Sequence, residues 1–237
     1  RQRQMCIRDS FQLLFYIIQP PTPERVKYDI FDRVNRGGTP LNKQEMRNAL
    51  YRGRCTRMLD KLCCSPEFLI ATGRSINKER MKDQYVVLRA MAFLMLHRGE
   101  FKDIPALQYR GDIDDFLARF MVYVNDNAPE KLIVDYENLF IRCMQISYDL
   151  LGENGFRFSG NGIRRPINMP LFEALSYLFS FVPEKIDYTW ASRLILDIES
   201  VKEEFDDSRY FSGNIDSTTS VSFRFDRMDK IINRIQL

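Results

Sequence analysis

The run Tyr85–Leu96, YVVLRAMAFLML, limits the architecture more than any other stretch of the chain. It lies in a helical pattern over 79–98 and is apolar on nearly every face, which marks the central buried helix of a bundle. The run is too short to span a bilayer, and Arg89 interrupts it, so the surroundings that bury it are protein and not lipid. A buried arginine must be paired. The fork of Arg89 suits a carboxylate or a ligand phosphate, and a fixed ion pair accounts for it without invoking a substrate.

From Pro23 onward nearly every periodic segment reads as helix. The patterns predict helices over 23–36, 42–52, 55–64, 66–72, 79–98, 112–126, 129–151, 169–182, 188–206 and 218–236. The last carries Val221, Phe225, Met228, Ile232 and Ile235 at alternating spacings of four and three. With only two heptads, that seam is expected to pack within the chain. Phe11–Gln19, FQLLFYIIQ, differs: it is β-branched and aromatic, ends at Pro20, Pro21 and Pro23, and predicts a strand. The expected fold class is therefore mainly α, a helical bundle with one or two residual N-terminal strands. An unaccompanied strand exposes unpaired N–H and C=O groups, so self-association through 11–19 is expected.

Residues 29–53, DIFDRVNRGGTPLNKQEMRNALYRG, bring two amphipathic helical patterns together at a glycine pair. Gly37 follows Arg36 where a helix would end in the left-handed region, and Asn42 with Glu45 three residues on forms a reciprocal cap for the next helix. Such a corner lets backbone amides approach an anion closely. It is also locally basic: Glu24–Arg54 holds eight Lys and Arg against four Asp and Glu, a net +4 in a chain of +3. Read on spacing alone, the glycines serve either an anion or the turn itself.

Phe31, Asn35, Gly38, Leu41, Glu45 and Arg47 stand at the positions of an F-x-x-x-N-x-x-G-x-x-L-x-x-x-E-x-R segment. This segment resembles the GmrSD-type restriction endonuclease N-terminal domain family, whose nucleotide-handling part is ParB-like. The likeness continues through RMKDQYVVLRAMAF at Arg80–Phe93, and through FRF at Phe156–Phe158 and LFEAL at Leu171–Leu175. It implies a truncated α+β ParB-like domain whose remnant covers 11–53, followed by a helical domain over 54–237. It also implies a bacterial or phage-defence restriction protein that binds and hydrolyses a nucleoside triphosphate with Mg to control cleavage of foreign DNA. An HNH-type nuclease domain or subunit would be its partner.

On that resemblance Asn35, Gly37, Gly38, Thr39 and Asn42, helped by Arg33 and Arg47, are the expected nucleotide or phosphate site. Arg47, placed (i, i+4) from Lys43, can equally tie its helix to a neighbour. Arg36, Lys43, Arg52, Arg54, Arg164 and Arg165 are candidates for contact with nucleic acid. The family's D-G-Q-Q-R string is absent, so catalytic residues are not assigned and hydrolysis by this chain alone is not expected. The alternative function is a nucleic-acid-binding or protein-interaction helical module without catalysis.

RQRQMCIRDS at Arg1–Ser10 resembles a translated sequencing-adapter artefact. Without it the net charge falls to +1, which argues against a chain-wide nucleic-acid surface. The 45% hydrophobic composition over 237 residues supports a sizeable core. No membrane segment or signal peptide is visible, and a cytoplasmic location is expected. Five cysteines lack C-x-x-C spacing and read as buried thiols. A single histidine, His97, reads as a surface residue at the exposed end of the central helix, and no metal site is expected.

Two loops carry further signals. In 152–170, Phe156 and Phe158 interleave with Arg157, Arg164 and Arg165, a pattern that suits either phosphate and base contact or a loop pinned to the core. Residues 207–217 read as a linker. The acidic run of Glu199, Glu203, Glu204, Asp206 and Asp207 reads as a solvated face.

Overall fold

A computed structural model describes residues 17, 24–35, 40–158, 164–183, 185, 187–208, 210, 211 and 213–235. The expected strand over 11–19 lies outside the described residues except for Ile17. The adapter-like segment 1–10 lies outside them as well. Among the described residues there are ten α-helices and no strand. They divide into two units at Pro40 and Leu41. In the first unit, α1 spans Glu24–Asn35.

The second unit holds α2 (Lys43–Leu50), α3 (Arg54–Cys63), α4 (Pro66–Ala71), α5 (Lys82–His97), α6 (Ile113–Asp126), α7 (Glu130–Leu151), α8 (Met169–Phe179), α9 (Tyr188–Asp206) and α10 (Thr218–Ile235). Every helix expected from periodicity is present, with ends differing by a few residues. Several of the ends are set by short polar side chains. Ser65 accepts from the Phe68 N–H, Asp187 from Trp190, and Asn168 from Leu171. Asn125, on α6, caps α3 from a distance by accepting from the Cys55 N–H at 2.9 Å.

The central helix is α5, which packs on α3, α6 and α8. Its residues Val86–Met95 are all buried, as continuous apolarity demands. Around it, α7 packs on α4 and α8, and α10 packs on α8 and α9. Phe93 meets Tyr109, Phe116 and Phe225, which joins α5, α6 and α10 in one aromatic cluster. Val221, Phe225, Met228 and Ile232 are buried, so the described part of the α10 seam is used within the chain. No helix among the described residues is long and apolar enough to cross a membrane.

Arg89 is 1% exposed and has carboxylate partners. Its Nε donates to Glu173 on α8, and its Nη2 donates to Asp216 at 2.6 Å. Arg224 on α10 donates to the second oxygen of Glu173 at 3.1 Å. The segment read as a linker therefore carries a structural carboxylate, and its Phe211 is buried. Burial opposes the charge on both arginines. At Arg89 the two carboxylates outweigh burial and raise the pKa, whereas at Arg224 burial prevails and lowers it.

His97 corrects the surface reading. Its ring stacks on Phe225 at 3.5 Å between centroids and meets Tyr177 edge-on. Its Nε2 is buried without a hydrogen-bond partner, and burial pushes its pKa down to about 3. The helix end looks exposed in sequence because the covering residues arrive from α8 and α10. Cys55, Cys63 and Cys143 are buried free thiols, while Cys64 is exposed. Burial pushes the Cys143 thiol up to about 12.

Candidate functional site

The second helix begins with the expected capping box. The Asn42 side chain accepts from the Gln44 and Glu45 N–H groups at 2.8 and 2.9 Å, and the Glu45 carboxylate accepts from the Asn42 N–H at 2.6 Å. These bonds occupy three of the amides that a helix start offers to an anion. Ligand donors here are accordingly side chains more than backbone.

Those side chains surround a cleft of about 520 Å³. Lys43, Gln44 and Arg47 enter it from α2, and Arg80, Lys82 and Tyr85 from the start of α5 and the turn before it. Arg47 is 1% exposed and is aimed by its neighbours. Its Nε donates to Gln44 at 3.0 Å, its Nη1 donates to Asp114 on α6 at 2.8 Å, and its guanidinium carbon lies 5.3 Å from the Tyr85 ring centre. Its Nη2 is buried and has no hydrogen-bond partner. An unsatisfied buried guanidinium nitrogen is unfavourable, and an anion relieves that cost.

The opposite wall is strained. Arg80 and Met81 both occupy the left-handed region, with φ 56° and 58°, although each carries a Cβ. Such residues cost about 1–3 kcal/mol each and persist only where surrounding contacts hold them. Here the Arg80 carbonyl accepts from the Asn42 side-chain amide at 2.7 Å, and the Arg80 guanidinium donates to Glu45 at 3.0 Å. The Asn48 side-chain amide approaches the Met81 sulfur at 3.1 Å. The Arg80 interaction holds the Glu45 carboxyl below the usual carboxylate range, with the Asn42 N–H acting in the same direction. At Asp114 burial is opposed by Lys43 and Arg47, and the net effect is a lowered pKa.

The structure thus gathers Asn42, Lys43 and Arg47, three residues named from sequence, and joins to them Arg80, Lys82, Tyr85 and Asp114. In sequence the Arg80–Phe93 segment carries only family likeness and no site residue. Nothing in RMKD marks two left-handed residues without glycine, so that wall was not legible. Arg33 is exposed in the last turn of α1 and Asn35 ends that helix, both in the first unit. Arg36, Gly37, Gly38 and Thr39 lie outside the described residues. Arg52 is exposed, and Arg54 serves the start of α7, donating to Ala128 O at 3.0 Å and to Glu130 at 2.7 Å.

The loop after α7 is pinned to the core. Phe156 and Phe158 are buried, and Arg157 gives its nitrogens to the Glu153, Arg165 and Thr72 carbonyls and the Ser75 hydroxyl. Arg164 pairs with Glu153 at 2.8 Å, and Arg165 pairs with Asp206. Asp206 and Glu204, which pairs with Arg227, are two members of the acidic run on α9.

Magnesium fits this cleft poorly. Glu45 and Asp114 are already engaged by cations, and Glu79 accepts from the Asn77 side-chain amide. No step through a protein-held metal follows from these residues. No protein-family model, curated protein or solved structure matches this chain.

Proposed function

We propose that the cleft between α2 and the start of α5 binds the phosphate end of a nucleotide. The carrying observation is the unsatisfied Nη2 of buried Arg47, with Lys43, Arg80 and Lys82 around it. A phosphate oxygen would complete the Arg47 fork and add charge-assisted bonds from the rim. Tyr85 lines the cleft with an aromatic side chain, and the cleft volume lies within the ordinary range for small-molecule sites, about 300–1,000 Å³.

The resemblance to the GmrSD-type family supports this reading at Asn42 and Arg47, the two of its expected phosphate residues that line the cleft. On that resemblance, the chain is part of a restriction or phage-defence protein whose complete domain hydrolyses nucleoside triphosphate. The residues here bind and orient. Gln44 and Asp114 set the plane of the Arg47 guanidinium, and the Arg80–Asn42 contact holds the opposite wall.

The test is a thermal-shift titration with ATP, GTP and UTP, with and without magnesium. A ligand that binds only the folded state at a hundredfold excess over Kd stabilises it by about 2.7 kcal/mol. Lys43→Gln and Arg47→Lys should each reduce the shift, the second because lysine keeps the charge and loses the fork. Asp114→Asn should increase it, because a competing carboxylate is removed while an acceptor for Arg47 remains. A cooperative melt that no nucleotide moves would eliminate the proposal.

A further inference from the structure

Beside the first cleft lies a second, of about 390 Å³, and Lys82 lines both. On the α5 surface Tyr85 belongs to the first and Val86 to the second. At 3.6 residues per turn, these positions fall on opposite sides of Lys82. The two clefts therefore flank the first turn of one helix. Lys82 is exposed and makes no ion pair among the described residues.

The second cleft differs in chemistry from the first. Ile76, Val86, Ile167 and Met169 give it apolar walls, and Arg164 and Arg165 give it a cationic rim. Arg157 fixes the backbone beneath that rim through its bonds to the Arg165 and Thr72 carbonyls. The rim arginines are paired with the carboxylates of Glu153 and Asp206, but the four side chains are 33–52% exposed. Surface pairs of this kind exchange partners at little cost.

We infer that the occupant of both clefts together is a short single strand of nucleic acid, crossing α5 at Lys82. This rests on the phosphate reading of the first cleft. One phosphate completes Arg47, another farther along the strand lies against Arg164 and Arg165, and Lys82 serves the backbone between them. A ligand with a single phosphate group at one end leaves the second rim unused. The apolar walls accept an unpaired base, whereas a duplex keeps its bases inside the stack. The site is local and short, because Leu41–Leu237 carries twenty-eight basic and twenty-eight acidic residues and so no net charge to hold a longer strand.

The test is fluorescence anisotropy of the full chain with labelled oligothymidylates of increasing length, with thymidine monophosphate as competitor. Affinity should rise about tenfold from the monophosphate to a tetranucleotide, the gain from a second phosphate held by charge-assisted bonds from the rim, and then level off. Arg164→Gln/Arg165→Gln should return the tetranucleotide to monophosphate-like affinity and leave monophosphate competition unchanged. It should also flatten the salt dependence by about 0.7 for each phosphate that is no longer neutralised. Lys82→Gln, at an exposed position, should weaken both ligands and covers the case in which the double variant does not fold.

The inference is overturned if the tetranucleotide binds no tighter than the monophosphate, or if a duplex of equal length binds as tightly. It is equally overturned if the folded double variant keeps full strand affinity. Arg47-dependent binding of the monophosphate with no gain from length would remove the strand and leave the phosphate cleft standing. Loss of both signals would remove both readings.

Discussion

Replacing Glu173 with glutamine tests the ionic centre of the bundle. Glu173 is 0% exposed and accepts from two buried arginines, Arg89 and Arg224. Glutamine preserves size and leaves one oxygen to accept, but removes the charge. Arg89 keeps Asp216, whose side chain is 26% exposed. Among the described residues Arg224 keeps the Ile215 carbonyl at 2.5 Å, the Phe211 ring at 5.9 Å and a neutral amide. Removing one member of a buried pair costs about 3–5 kcal/mol. Because Asp216 still serves Arg89, the expected loss lies at the lower end, about 3 kcal/mol. For a chain of this size that lowers Tm by about 6–12 °C. Urea unfolding followed by far-UV circular dichroism measures it. Glu173→Gln combined with Arg224→Met should cost less than the sum of the two single changes, since the second removes the charge stranded by the first. A loss below about 1 kcal/mol for Glu173→Gln, or strict additivity, would refute the argument that the charges hold one another.

Two further outcomes follow from buried or strained residues. His97 is held neutral, with a pKa lowered from 6.5 to about 3, so the unfolded chain binds a proton there that the folded chain does not. Its contribution is complete above the unfolded pKa and is lost as pH falls toward 3, at up to about 1.4 kcal/mol per pH unit. Urea stability between about pH 7 and pH 5 should fall less steeply in His97→Phe, and parallel profiles would reject the assignment. Arg74, exposed and at φ 52° just after the positive-φ Gly73, should be improved by glycine. Relief of about 1–2 kcal/mol against about 0.5–1 kcal/mol of added chain entropy in the unfolded state predicts a small rise in Tm for Arg74→Gly, and a fall would show that the side chain matters.

Periodicity and capping act within a few residues of chain, and that is why so much of the fold was legible. The apolar run Tyr85–Leu96 specified a helix that must be enclosed, the Asn42 and Glu45 pair specified where α2 begins, and the α10 spacing specified an inward seam. The pinning of the loop at Phe156 and Phe158 was one of two readings the sequence allowed, and their burial decides it.

Packing chose the partners. Arg89 reaches Glu173 and Asp216 across 84 and 127 positions of chain, and Arg47 reaches Asp114 across 67. Nothing local distinguishes Asp216 from the other carboxylates, because its selection depends on where α8 and α10 bring their backbones. The same holds for His97, covered by helices distant in sequence, and for Arg80 and Met81, whose left-handed backbone is held by α2. Which segments are helical and which faces turn inward could be read along the chain, since propensity, period and caps are properties of near neighbours. Which buried charges meet, and which guanidinium nitrogen is left without a partner, was settled when those segments came together. Burial makes an ion pair or an unpaired donor energetically decisive, and burial belongs to the assembled fold.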